Sequence, residues 1–250
     1  MKTQIIKIGG CLLIAAAALF GSLTAIADTV YVSNAYGNTI EKFDLATGAD
    51  LGLFANTGLN NCQSIAFDSA GNLYASNQAG NTIEKFSSSG IDLGVFASDG
   101  LNGPQGLAFD STGNLYVANS GNHTIMKFTP GGVGSVFADT GSDGSWGLAF
   151  DSAGNLYVST GDTNKILKFT PGGVGSVFAA DSNYKLGLAF DSAGNLYAVN
   201  VLSNTIEKFS STGTDLGVFA NTGSYATSLA FDCAGNLYGT ADLIALRSRK

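Results

Sequence analysis

The ten residues LAFDSAGNLY at Leu148–Tyr157 return letter for letter at Leu188–Tyr197, with near-copies at Ile65–Tyr74, Leu107–Tyr116 and Leu229–Tyr238. Aligned on Phe67, Phe109, Phe150, Phe190 and Phe231, the copies stand 42, 41, 40 and 41 residues apart. A fixed period near forty residues marks one supersecondary unit written repeatedly, each unit burying its apolar surface against the next. Within a unit, GLAFD is a short apolar run and SAGN a turn whose glycine accepts positive φ. NLYVA, TIMKF and VGSVFA are three further strands, separated by the turns NSGNH and TPGG. Four strands of about five residues joined by tight turns form one antiparallel sheet.

The faces of these strands decide how the sheets stack. Leu107 and Phe109 point one way and Ala108 the other; Leu115 and Val117 oppose Tyr116 and Ala118. A strand that is apolar on both faces lies between two sheets. Repeated four-stranded sheets packed face to face around an axis make an all-β propeller. Charge gathers on the third strand, at Glu41-Lys42, Glu84-Lys85 and Glu207-Lys208, which predicts that this strand nears solvent.

The consensus GLAFDSxGNLYVANSGNxTIxKF resembles the NHL-type repeat of secreted six-bladed propellers, related to the regucalcin/gluconolactonase group and the streptogramin lyases. The resemblance spans Thr29 to about Thr240. It implies the fold and leaves function open, because one fold hosts many activities. The regular pattern opens at a second strand, TVYVSN (Thr29–Asn34), so the first blade lacks its first strand. Four complete units follow, and then two or three strands ending in the atypical tail 239–250. That is more than five closed blades need and fewer than six need. Six blades, with an incomplete one, are favoured by the resemblance; five are the alternative.

The chain opens with Lys2 and Lys7, an uncharged apolar run from Ile8 to about Leu23, and Ala25-Ile26-Ala27. This pattern predicts a signal peptide over 1–27, cleaved before Asp28, and export to the periplasm or the exterior. The rival is an uncleaved anchor helix, the one way this chain would meet a membrane. A single propeller domain then occupies 28–250. Removing Lys2 and Lys7, the only charges in 1–27, moves the net charge from -7 to -9. Such an acidic chain carries no nucleic-acid footprint. Cys62 and Cys233 fall at opposite ends of equivalent first strands, too far apart for a disulfide.

Asp68, Asp110, Asp151, Asp191 and Asp232 each precede the same Gly-Asn turn. They are expected to accept backbone hydrogen bonds within that turn, since their spacing is not that of a calcium loop. His123 replaces the asparagine found at Asn38, Asn81, Asn164 and Asn204, and is expected to be a turn residue with left-handed φ. One histidine builds no multi-histidine zinc site. Ser64 and Ser228 stand where other units have glycine, as small residues and not nucleophiles. No catalytic residue, metal ligand or cofactor is expected.

Function is sought where the units differ. The segments joining fourth to first strands vary most: NTGLNNCQ (56–63), SDGLNGPQ (98–105), DTGSDGSW (139–146), ADSNYKL (180–186) and NTGSYAT (221–227). With the second-to-third-strand turns they should frame the mouth of the central channel. Gln63, Gln105, Trp146, Leu186 and Thr227, each four residues before its phenylalanine, form a ring of unlike side chains there. Gln63, Gln105, Trp146, Tyr184, Lys185 and Tyr225 are the expected binding residues, for a glycan, peptide or protein ligand. A noncatalytic binding propeller is the favoured reading. The alternative, which the resemblance carries, is a metal-dependent hydrolase or lyase of the gluconolactonase or streptogramin-lyase type.

Overall fold

The structure, a computed structural model, describes residues 4–9, 29–45, 47–180, 183–223, 226–232, 235–240 and 245–246. The first sheet holds β1 (Gln4–Gly9), β2 (Thr29–Asn34), β3 (Thr39–Asp44) and β4 (Asp50–Ala55). The second holds β5 (Cys62–Phe67), β6 (Leu73–Asn77), β7 (Thr82–Phe86) and β8 (Asp92–Ala97). The third holds β9 (Pro104–Phe109), β10 (Leu115–Asn119), β11 (Thr124–Phe128) and β12 (Gly134–Asp139). The fourth holds β13 (Ser145–Phe150), β14 (Leu156–Thr160), β15 (Lys165–Phe169) and β16 (Gly175–Ala180). The fifth holds β17 (Lys185–Phe190), β18 (Leu196–Asn200), β19 (Thr205–Phe209) and β20 (Asp215–Asn221). A three-stranded sheet follows, β21 (Leu229–Phe231), β22 (Leu237–Gly239) and β23 (Ala245–Leu246).

The fold is thus all-β, with five complete four-stranded antiparallel blades in a propeller ring. The sixth sheet has three strands, the last drawn from the atypical tail. First strands touch in the cyclic order β1, β5, β9, β13, β17, β21 and back to β1. The position expected to lack a strand in the first blade is taken by Gln4–Gly9, paired with β2 from Gln4↔Asn34 to Gly9↔Thr29. Apart from that segment, the leader expected over 1–27 lies outside the described residues.

The hydrophobic core sits between blades. One cluster joins Tyr74 and Ile83 of the second blade to Leu107, Leu115, Val117 and Phe128 of the third. The next joins Tyr116, Ala118 and Ile125 of the third to Leu148, Leu156 and Val158 of the fourth. The opposite faces of β10 therefore serve two different cores, as its two-sided apolar pattern requires.

The tyrosine of each second strand is the hub of these seams. Tyr74 meets Phe96 of its own blade and Phe109 of the next edge-on, with centroids 4.9 and 5.0 Å away. Tyr31, Tyr116, Tyr157 and Tyr197 repeat the arrangement. Each such edge-to-face pair adds about 1 kcal/mol beyond burial. Lys85, Lys127, Lys168 and Lys208 lie over the tyrosine faces at 5.0–5.2 Å.

The repeated turns behave as expected. Asp151 Oδ1 accepts from the backbone N–H of Ala153 and Asn155, and Oδ2 accepts from Asn155 Nδ2 and Tyr157 Oη. Burial would raise this carboxyl's pKa, but the Asn155 side-chain and backbone donors, with Tyr157 and Ala153, outweigh it and hold it below the usual value. His123 has φ 60°, matching 50–55° at Asn38, Asn81, Asn164 and Asn204. Cys62 is buried and unpaired, its thiol pushed up to about 12 mainly by burial; Cys233 lies outside the described residues.

One expectation is corrected. Two of the third-strand charges do not reach solvent, Glu84 and Glu207 being only 4% and 7% exposed, while Glu41, Lys42, Lys85 and Lys208 are half-buried. The Glu84 and Glu207 side chains face the loop entering their own blade, the third strand being covered there by the fourth-to-first-strand connection.

Candidate binding site at the channel mouth

The variable loops and the second-to-third-strand turns share one face, tied together by hydrogen bonds. Backbone N–H groups of Gln78, Ser120, Gly161 and Val201 donate to carbonyls of Asn61, Gly103, Gly144 and Tyr184. Between blades, Asn38 Oδ1 accepts from Asn61 N and Asn81 Oδ1 from Gly103 N. The left-handed asparagines thus fix the loop that leads into the next blade.

Inside this frame the first strands approach closely. A Cβ on Gly106 would lie 2.1 Å from the Trp146 carbonyl oxygen, and one on Gly147 equally close to that of Leu186. The repeated glycine of GLAF is therefore a close-approach residue. Ser76 and Ser159 bind the seam further, donating to the carbonyls of Gln105 and Leu186 at 2.6 Å.

At the mouth lies a cavity of about 270 Å3, lined from five sheets. Among the described lining residues, Gln63 and Gln105 form one arc, Trp146, Tyr184 and Leu186 the opposite arc, and Thr227 and Ser228 lie on the β21 side. Four of the six expected binding residues, Gln63, Gln105, Trp146 and Tyr184, are brought together here. Tyr225 lies outside the described residues.

Lys185 is not at the mouth. It is the first residue of β17, fully buried, with Nζ 3.3 Å from Glu207 Oε2 and 5.7 Å from the centre of the Phe209 ring. The equivalent first-strand residues Cys62 and Ser145 are also fully buried, so this position faces into the blade. A lysine tolerates it because Glu207, on the third strand of the same blade, supplies the opposite charge. The cation expected beside the ligand is thereby removed, and none of the described lining residues carries a formal charge.

The polar groups have defined partners. Gln63 Nε2 donates to Asn61 Oδ1 at 2.9 Å and to Gln78 Oε1 at 3.2 Å. Gln105 Nε2 reaches Ser120 Oγ at 3.4 Å. Both amide oxygens are left without a donor among the described residues. Trp146 and Tyr184 meet edge-on with centroids 6.1 Å apart, and Trp146 Nε1–H has no acceptor among the described residues. The mouth therefore offers two amide acceptors and an aromatic wall.

Gln78, Ser120 and Gly161, which support the mouth residues, were not singled out from sequence. Their signal is internal: the residue after the second strand changes as Gln78, Ser120, Gly161, Val201 while its mouth partner changes as Gln63, Gln105, Trp146, Leu186. His123 belongs to this face, its carbonyl accepting from Thr140 N and Oγ1, but it is not part of the lining.

The described lining residues do not make a site for a divalent metal. Amide and hydroxyl oxygens are present, but the described lining has no carboxylate to balance the charge and no imidazole to act as a ligand.

Residues 101–128 match the family model of the NHL repeat. No curated protein matches the chain in sequence. Among solved structures, a gluconolactonase from Xanthomonas campestris is similar with TM-score 0.75 and 20% identity, covering 86% of this chain and 80% of that one. Virginiamycin B lyase from Staphylococcus aureus is similar with TM-score 0.68 and 16% identity, covering 87% and 75%. A chain of the nidogen/laminin complex is similar with TM-score 0.73 and 19% identity, covering 81% and 80%. At these identities the likeness is one of fold. Residues 101–128 thus carry an NHL repeat, and the ring of blades is a β-propeller that shares its fold with a streptogramin-type lyase and a gluconolactonase.

Proposed function

We propose that this propeller is an exported, noncatalytic binding protein that takes a neutral glycan at the channel mouth. The observation that carries the reading is the split lining: amide acceptors on one arc, an aromatic wall on the other, and no formal charge among the described lining residues. A pyranose has hydroxyl donors on its edge and an apolar face of C–H groups, which suits both arcs. An anion would meet acceptors with no cation among the described lining residues to balance it. The cavity lies just below the range of roughly 300–1,000 Å3 typical of small-molecule sites, which suits a ligand with a single ring inserted.

The enzyme reading has the solved neighbours behind it. One virginiamycin B lyase structure holds quinupristin in a variant made catalytically inactive by replacing a histidine with alanine. The single histidine here, His123, stands in a left-handed turn outside the lining. Binding without chemistry is what the mouth's own residues support.

The test is calorimetric titration with methyl glycosides of neutral hexoses against the corresponding uronates. Neutral glycosides should bind and uronates should not. Trp146→Ala, checked for folding by circular dichroism, should lose most of the affinity, since aromatic anchors dominate recognition sites. Unchanged binding by Trp146→Ala, or binding mapped to the opposite face at the Asp-Ser-Ala-Gly turns, would overturn the site. Uptake of Ca2+, Mg2+ or Zn2+ at the mouth would favour the hydrolase or lyase alternative.

A further inference from the structure

Gly161 follows β14 directly, and the aromatic wall rests on it. A Cβ there would lie 2.6 Å from Trp146 Nε1, 2.7 Å from Tyr184 Cε2 and 2.9 Å from Tyr184 Oη. Its φ is not left-handed, so the backbone does not demand glycine. What demands glycine is the space taken by two rings from neighbouring blades. Equivalent positions elsewhere are filled: Gln78 accepts from Gln63, and Ser120 accepts from Gln105. In the fourth blade the supporting side chain is deleted and an indole lies in its place.

We propose that Gly161 is the specificity-determining residue of the mouth, the bare seat that lets Trp146 and Tyr184 lie back against the turn and leave the cavity open. The proposal rests on the binding reading. Both rings line the cavity on their other side, so a side chain at 161 drives them toward the channel axis. Each blade then sets its share of the lining through two residues, one on the first strand and one on the turn beneath it. In the fourth blade those two are Trp146 and Gly161.

The experiment uses Trp146 as its own probe, since the chain has a single tryptophan. Gly161→Ala is compared with Gly131→Ala, a control at an exposed glycine whose added Cβ would meet only Thr129 Oγ1 at 3.9 Å. Gly161→Ala should shift the emission maximum and change acrylamide quenching, while the control leaves both unchanged. Affinity for the neutral methyl glycosides should fall about tenfold or more, the scale of one misplaced methyl group in a fitted pocket. If Gly161→Ala folds poorly, adding Tyr184→Ala should recover the thermal midpoint, because the clash is with the rings; no recovery overturns the seat. Unchanged emission, or an emission shift with unchanged glycoside affinity, also overturns the proposal. A wild-type protein that binds no glycoside overturns the binding reading, and the selectivity role with it, even where the emission shift stands.

Discussion

Glu84 and Glu207 occupy the same place in two blades and are handled differently. Glu207 is neutralised by the buried ammonium of Lys185. Glu84 has Asp92 as its neighbour, another carboxyl, and both converge on Gly58: a Cβ there would lie 2.7 Å from Asp92 Oδ2 and 2.9 Å from Glu84 Cδ. Burial first, then the hydrogen bond and the charge of Asp92, push Glu84 up to about 7. The folded protein therefore keeps this proton to about pH 7, while the unfolded chain releases it near the ordinary glutamate value of about 4.5. Across that window the folded state binds more protons, so stability is full below it, falls as pH rises through it, and levels above it. The repeated turn aspartates act in the opposite sense. Their carboxyls are held below the usual range, so their contribution is lost on acidification. Glu84→Gln should abolish the decline between about pH 4.5 and 7 and gain on the order of 2 kcal/mol over wild type at pH 8. Urea unfolding of both proteins from pH 4 to 8 measures this; parallel curves would show that Glu84 titrates normally.

At the scale of the element, the turns carry the fold and the loops carry the mouth, but the division is less clean than the repeat suggests. Gly154 has φ +80°, a conformation that a β-branched residue resists, in a turn present in every repeated unit. Gly154→Val should cost roughly 1–3 kcal/mol. Ser142→Ala, at an exposed loop position, should cost less than about 0.5 kcal/mol. Equal thermal midpoints for the two would refute the turn assignment. The expectation does not extend to the whole of 139–145. Asp143 is buried and accepts from Thr163 Oγ1, and Ser145 Oγ donates to the Asn119 carbonyl. Strands, turns and the sharing of one face by loops and turns were legible because period two and the turn glycines act locally. The four mouth residues were legible because they are where otherwise identical units diverge. Lys185 and Gly161 were not. A buried lysine reads as a surface one until its partner two strands away is known. A glycine required by neighbouring rings looks like any turn glycine.

Closure of the whole ring sets two readings of the N-terminus against each other. In the structure Gln4–Gly9 supplies the first strand of the first blade and touches both β5 and β21. The same residues fall within the stretch that reads as a leader, between Lys2 and the Ala25-Ile26-Ala27 motif. Cleavage before Asp28 would remove β1 and leave β2 as the innermost strand of a three-stranded blade, beside another three-stranded sheet. The three seams that join the second blade to the third, the third to the fourth and the fourth to the fifth are built, among the described residues, from residues beyond Ala55. A protein of residues 28–250 should therefore fold, with a β-sheet circular dichroism spectrum. Its thermal midpoint should be lower than that of the full chain, because the backbone pairing of β1 with β2 is gone. N-terminal sequencing of the exported product should read from Asp28. A membrane-held product retaining Met1 or Lys2 would mean that the segment stays attached. Identical midpoints for the full chain and for 28–250 would show that Gln4–Gly9 adds nothing to closure and that the ring is held by the remaining seams alone.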